Sequence, residues 1–361
     1  MLKRLVESYP AASGYSHSVI SLTQIGVVGE QMKAAGIPVA VIGMRSALDV
    51  PRVLVALVRI LRKTRPDVVQ TWMYHADLLG GLAARVSGNS NIIWGVRTTD
   101  VNAGGVRATT FVMYLCALLS RVIPRKIVCA ANASRRVHAR AGYDDKRMVV
   151  IPNGFNIDHL KVLPGERTAF REQYGFSTKN LVIGTLGRFN LAKDHKNFVQ
   201  AAGLLCEKFP DLRFLLVGRG LDSSNIELNQ WILDTGFPDR FVLLGERSDV
   251  PKCLSAMDIF CLSSRTEGFP NVVGEAMAMG VPCVVTNVGD AAFLVGETGI
   301  VVPRENSAAL ATGIERLLTM PADEREALGK KARERIHAEF TMERVRERFD
   351  SVYHALSERD I

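Results

Sequence analysis

Short apolar runs alternate with longer amphipathic stretches along nearly the whole chain, and this limits the possible folds more than any other feature. The runs VAVIGM (39–44), VVQTW (68–72), IIWGV (92–96), KIVCA (126–130) and MVVIP (148–152) read as buried strands, as does HSVISL (17–22) before them. LVIGTLG (181–187), RFLLVG (213–218), RFVLLG (240–245), DIFCLSS (258–264) and PCVVTN (282–287) form a second series. Helix-like segments separate most of them, for example DVPRVLVALVRILRKTRP (49–66). Strand, helix, strand in regular order predicts an α/β fold of parallel sheets covered on both faces. The polar, Pro- and Gly-containing stretch 151–180 divides the two series, which puts the domain junction near Asn153–Asp158. The expected domains are 1–155 and 156–341, with a charged last helix, about Met342 to Arg359 within 342–361, packing back on the first. A length of 361 residues suits two domains.

Composition narrows the function. No apolar run reaches the ~18–20 residues of a membrane span; the most lipid-like segment, FVMYLCALLS (111–120), is short and followed by Arg121. The first residues hold Lys3 and Arg4 without an apolar signal segment. Six cysteines lie scattered without metal spacing, which fits reduced thiols in a cytoplasm. The net charge of +8 is uneven: residues 1–155 carry 20 Lys/Arg and 8 Asp/Glu, residues 156–361 carry 25 and 29. The first half therefore invites an anionic partner: a membrane face, a phosphorylated ligand or nucleic acid. A nucleic-acid binder is disfavoured, because no aromatic-basic motif or recognition helix is present. No GxGxxG follows a strand and there is no Walker motif, which argues against a nicotinamide dehydrogenase and a P-loop ATPase.

EGFPNVVGEAMAMG (267–280) carries the most chemistry. A strand ends in a polar loop, Gly268 permits close backbone approach, and Pro270 suits the first turn of a helix. The helix N-terminus offers free N–H groups and partial positive charge to an anion. Glu267 precedes those amides and Glu275 lies about one and a half turns inside. Carboxylates grip vicinal hydroxyls, so the segment reads as a cradle for a nucleotide sugar. The bland alternative, a loop carboxylate and a helix-face charge, stays open on spacing alone. Arg188 and Lys193 follow a strand that ends in Gly187, where they read as a cationic pair or as surface charge.

SRTEGFPNVVGEAMAMGVPCVVTNVGD (264–290) resembles the E-x7-E signature of retaining glycosyltransferases of family 4, which have the GT-B fold. IGTLGRFNLAKDHKNFVQAA (183–202), IPNGFNID (151–158), FVLLGERSDVPKCLSAMDIF (241–260) and RPDVVQTWMYHADLLGGLAAR (65–85) resemble other segments of the family, the last in bacterial lipopolysaccharide and exopolysaccharide transferases. The resemblance implies two doubly wound, Rossmann-like domains facing a cleft. It implies that Glu267 contacts the donor sugar beside the amides of Gly268 and Phe269, with Pro270 and Asn271 opening the helix, and that Glu275 holds the ribose. It assigns Gly187, Arg188 and Lys193 to the donor diphosphate, and Gly245 and Arg247 to the base pocket. His75 falls in a first-domain loop where a substrate hydroxyl is held, and Arg97 stands where the family commonly has a histidine facing the donor sugar. His138 and His195 read as peripheral to the chemistry.

The implied activity is a retaining, hexosyltransferase-type transfer from a nucleotide diphosphate sugar, of the UDP-linked kind, to a membrane-associated glycan or glycolipid. The leaving diphosphate would help deprotonate the acceptor in a same-face displacement. No metal and no cofactor is expected: the sequence has no Asp-x-Asp, and two fixed cations with a helix N-terminus can hold the diphosphate. The expected location is cytoplasmic, peripheral on the anionic inner membrane face. The alternatives are a noncatalytic nucleotide-sugar-binding protein and another enzyme of the same fold, such as an epimerase. The chain departs from the family at its start, which resembles the helix after the first strand and its Gly-rich loop. Without that strand, HSVISL and VAVIGM are expected to lose a packed partner, leaving a less stable first domain and slow transfer.

Overall fold

The computed structural model describes residues 1–99 and 107–357, and the alternation in the sequence becomes sets of parallel strands. Two compact units are present. One comprises Met1–Gly154 with the C-terminal helix Met342–Ser357, the other Phe155–Thr341. Arg359, where the sequence reading ended the last helix, lies outside the described residues.

In the first unit, β1 (Val19–Ser21) pairs with β2 (Val39–Val41), Val19 opposite Val39. A separate four-stranded sheet has the order β3 (Val69–Gln70), β4 (Ile92–Val96), β5 (Lys126–Cys129), β6 (Met148–Val150). Every residue of β4 is buried, which is why it reads as an unbroken apolar run. On one face, helices Val50–Thr64, Tyr74–Val86 and Arg107–Leu119 bury Val53, Leu57, Ala83, Met113 and Cys116 against Trp94. On the other, helix Leu2–Glu7 and helix Met342–Ser357 pack Leu5, Val345 and Phe349 on Ile93, Val128 and Ile151. Polar ties fasten the last helix within this unit: Tyr9 Oη donates to Asp350, Tyr353 Oη to Gln70, and Arg125 to the carbonyl of Leu356.

The second unit has one six-stranded parallel sheet. In chain order its strands are β7 (Leu181–Leu186), β8 (Leu212–Val217), β9 (Phe241–Leu243), β10 (Ile259–Leu262), β11 (Cys283–Thr286) and β12 (Gly299–Val302). In space the order is β12-β11-β10-β7-β8-β9. The chain builds outward from β7 to β9, then returns to the opposite side of β7 with β10. Such a reversal opens a crevice at the carboxyl ends of the two strands, because the connections leave in opposite directions. Helix His195–Cys206 and helix Ser307–Leu318 cover the sheet with Phe198, Val199, Ala202, Leu310, Ile314 and Leu317, all buried.

Candidate functional site

The reversal in the second unit places two loops side by side. β7 runs into Gly187–Arg188 and on to Lys193; β10 runs into Ser263–Phe269. Three contacts tie them: Ser263 Oγ donates to the carbonyl of Lys193 at 2.9 Å, Arg265 N to the carbonyl of Ala192 at 2.8 Å, and Arg265 Nε to Asp194 Oδ2 at 2.9 Å. Asn190 caps the short turn by accepting from Ala192 N, and Asp194 ends it in the left-handed region at φ 48°. The result is an ion pair between residues 74 positions apart: Lys193 Nζ donates to Glu267 Oε1 at 2.6 Å. Ser264 Oγ donates to the same oxygen at 2.7 Å. Both charged side chains are largely buried, at 24% and 12% exposure, so the pair is less screened than a surface bridge. An ammonium has three donors, and the pair uses one.

The backbone after Glu267 is held from behind. A Cβ at Gly289 (φ 57°) would lie 2.4 Å from the Glu267 carbonyl and 2.5 Å from that of Gly268. Asp290 N donates to the Gly268 carbonyl at 2.8 Å. Helix Asn271–Ala278 follows. Pro270 is the cap, with ψ 92°, rather than a first-turn residue as the sequence suggested; its carbonyl accepts from Val273 N and so opens the helix. Phe269 packs near Phe155 and Phe340, and Gly274 lies against the Phe155 ring, where a Cβ would meet Cζ at 2.1 Å. Val273, Ala276 and Met277 are buried, while Glu275 on the same helix is half-buried.

Beside this pair lies a hollow of about 340 Å³ lined by Leu186, Gly187, Arg188, Val217, Gly218, Arg219, Glu246, Arg247 and Val272. Three adjacent strands end in glycine here: Gly187 after β7, Gly218 after β8, Gly245 after β9. Gly218 has φ 148°, and a Cβ on it would stand 2.1 Å from the Gly187 carbonyl. Arg188 is exposed and makes no hydrogen bond or ion pair among the described residues. Arg247 grips Asp249 through Nε–Oδ1 at 2.8 Å and Nη2–Oδ2 at 2.7 Å, which raises the guanidinium's pKa and lowers the carboxyl's. Gly218, Ser264 and the Arg219–Glu246 pair were not singled out in the sequence; the glycine closing RFLLVG was the available signal for the first.

In the first unit, His75 is exposed on the opening turn of helix Tyr74–Val86 and has no hydrogen bond among the described residues. The preceding residue but one, Met73, has φ 76° and ψ 157°, a region sparsely populated by residues other than glycine. Arg97 follows β4. Its Nη2 donates to Asn153 Oδ1, its guanidinium lies 5.0 Å from the Trp72 ring centroid, and Nη1 is buried without a partner among the described residues. Burial lowers its pKa to about 10, so it stays charged at neutral pH. His138 and His195 are both buried: His138 joins Tyr74 Oη and the Ser134 carbonyl, and His195 stacks on Phe189.

Parallel α/β units, with a glycine-lined hollow and a cation–carboxylate pair at one sheet's reversal, belong to the Rossmann-like class of ligand-binding folds. Comparison with known proteins is more specific. The family model described as Glycosyltransferase Family 4 matches residues 3–159, and that described as Glycosyl transferases group 1 matches residues 166–335. The chain belongs to the family 4 glycosyltransferases. A UDP-Gal:alpha-D-GlcNAc-diphosphoundecaprenol alpha-1,3-galactosyltransferase of Escherichia coli is 27% identical over 65% of this chain and 61% of its own length. The capsular polysaccharide biosynthesis glycosyltransferase CapM of Staphylococcus aureus is 25% identical over 83% and 80%. The chain thus spans less than two thirds of the first relative, and about half, 51%, of a Bacillus anthracis N-acetyl-alpha-D-glucosaminyl L-malate synthase. In fold, the crystal structure of Anabaena HepE in complex with UDP and glucose superposes with a TM-score of 0.83 at 21% identity, covering 98% of this chain and 95% of that one.

Proposed function

We propose that this chain transfers a sugar from a nucleotide diphosphate sugar to a glycan or glycolipid acceptor, with retention and without a metal ion. The observation that carries the reading is the Lys193–Glu267 pair, set between the Gly187–Arg188 turn and the N-terminus of helix Asn271–Ala278. In this reading Arg188, Lys193 and the Gly187 turn take the diphosphate. Glu267 with the backbone of Gly268, Phe269 and Asn271 takes the sugar, and Pro270 sets the direction of that backbone. Glu275 takes the ribose, and the hollow with Gly245 and Arg247 takes the base. The leaving group gains negative charge as the glycosidic bond breaks, and fixed cations at that place favour the transition state over the bound ground state. His75 takes a hydroxyl of donor or acceptor, and Arg97 takes a charged group of either or replaces the hydrogen bond of the family's histidine.

The names of the relatives support this reading. The Escherichia coli protein uses UDP-galactose and a diphosphoundecaprenol acceptor, and HepE binds UDP. A lipid-linked acceptor also fits a chain placed peripherally on the inner face of the cell membrane. The test is a thermal-shift screen of UDP-, GDP- and ADP-sugars, followed by measurement of nucleotide diphosphate release with an acceptor extract. A stabilising donor that turns over supports the proposal. Stabilisation without turnover supports a binding protein instead, and no stabilisation by any nucleotide sugar refutes both.

A further inference from the structure

Helix Arg107–Leu119 is apolar on two opposite faces. The inner face buries Met113, Cys116 and Ala117 in the first unit's core. The outer face carries Phe111, Tyr114 and Leu118, exposed at 68%, 54% and 65%, and the chain continues with Val122 at 61%. Spacings of three and four put these side chains on one line. A surface helix ordinarily turns polar residues outward, so this second apolar face calls for a cover. The line begins and ends in cations. Arg107 lies one turn before Phe111, and Arg121 lies three residues after Leu118; both are exposed. No Asp or Glu occurs from residue 107 to residue 143. The far end is held in place, since Arg85 of the neighbouring helix donates to the carbonyls of Val122 and Ile123.

We propose that this helix is where the chain rests on an anionic phospholipid bilayer: Phe111, Tyr114 and Leu118 enter the boundary between headgroups and acyl chains, and Arg107 and Arg121 pair with lipid phosphates. A helix of thirteen residues is about 20 Å long, too short to cross ~30 Å of hydrocarbon, and among the described residues no helix is long and apolar enough to span. It therefore lies in the plane of the interface, where an apolar line with basic flanks is stable. Tyrosine suits that depth because one end of its ring is apolar and the other wet. Charge decides against a second copy as the cover. Two such faces together would bring Arg107 and Arg121 against their equals with no carboxylate to pair them. The inference rests on the reading of a lipid-linked acceptor and names the surface that would meet its membrane.

The experiment is co-sedimentation of the whole chain with vesicles of phosphatidylcholine and phosphatidylglycerol at about three to one, and of phosphatidylcholine alone. Thermal stabilisation by the UDP-, GDP- and ADP-sugars is measured on every variant. The wild type is expected to bind the anionic vesicles and to release as salt rises. Phe111→Ser with Leu118→Ser should lower the partition coefficient roughly 100-fold, since burying one such side chain is worth about tenfold and two are replaced. Arg107→Gln with Arg121→Gln should remove the preference for anionic lipid. Both double variants should keep the wild-type response to these sugars. Wild type that fails to bind, or a serine variant that binds equally, overturns the proposal. So does a dimer in sedimentation velocity that the serine variant abolishes, which would make a second copy the cover. If none of the UDP-, GDP- and ADP-sugars stabilises any of the proteins while vesicle binding follows the pattern above, the donor reading fails and the docking surface stands.

Discussion

At the scale of single residues, the two carboxylates of the 267–275 segment have different surroundings. Glu267 is held by Lys193 and Ser264, whereas Glu275 is half-buried on a helix that buries Val273, Ala276 and Met277. Glu275→Ala should therefore leave the melting temperature within a few degrees and weaken donor binding by about 1.5–3 kcal/mol, the loss of hydrogen bonds to a charged group. Calorimetric titration with the best donor checks this; unchanged affinity would remove Glu275 from the site. Asp77 makes a different prediction. It is wholly buried, accepting from Thr71 Oγ1 at 2.5 Å and Gly95 N at 3.3 Å, and burial raises its pKa from 3.8 to about 8. The neighbouring Cys116 thiol and Tyr143 phenol are pushed up too and stay neutral, and burial lowers His138. Between pH 4 and 8 the folded chain holds a proton at Asp77 that the unfolded chain has released. Stability should thus fall as pH rises through that span, by at most about 1.4 kcal/mol per pH unit from this group. The contribution is complete below the unfolded pKa and gone above the folded one. Melting curves from pH 5 to 8 should slope less steeply in Asp77→Asn; an equal slope would show that the carboxyl is ionised in the fold.

At the scale of elements, the hollow in the second unit depends on three strands ending together. Gly218 is the tightest point, because its φ of 148° and the nearby Gly187 carbonyl both exclude a side chain. Gly218→Ala should cost roughly 2–4 kcal/mol of stability and lower donor affinity, since backbone must move where the turns of Gly187 and Arg188 meet. Gly236→Ala is the control: φ is 78° but the space around it is open, so it should lose stability without changing donor affinity. Equal effects on affinity from the two would mean that strain, not the shape of the hollow, is being measured. Helix Asn271–Ala278 and the loop before it follow a similar logic. Gly289 and Gly274 let other parts of the unit approach closely, so the amides after Glu267 keep one direction before any ligand arrives.

At the scale of the whole molecule, the proposed chemistry uses fixed cations where other transferases use a metal ion. Activity should persist in excess EDTA, and a requirement for Mg²⁺ or Mn²⁺ would refute the scheme. Arg188→Ala should lower kcat about 10- to 100-fold with a smaller change in KM, as expected when a contact strengthens while diphosphate charge develops. An effect confined to KM would make Arg188 a binding residue only. Because Arg188 is exposed and unpaired among the described residues, its removal should not lower the melting temperature, which separates this loss from unfolding.

The sequence by itself determined the class of fold and the family. Period and length of the apolar runs reflect strands buried on both faces, a local property that survives without coordinates. EGFPNVVGEAMAMG is contiguous, so its loop, helix start and two carboxylates could be read together. Three features were decided only by tertiary structure. Lys193 meets Glu267 because β10 returns beside β7, and strand order is not written in any local window. Gly218 matters because of a carbonyl 31 residues away in sequence, on a neighbouring strand. FVMYLCALLS looked uniformly apolar, and packing alone divided it into Met113 and Cys116 inside and Phe111 and Leu118 outside. In each case the physical reason is the same: composition and spacing report how much a segment prefers to leave water, whereas what it meets there is set by the rest of the chain.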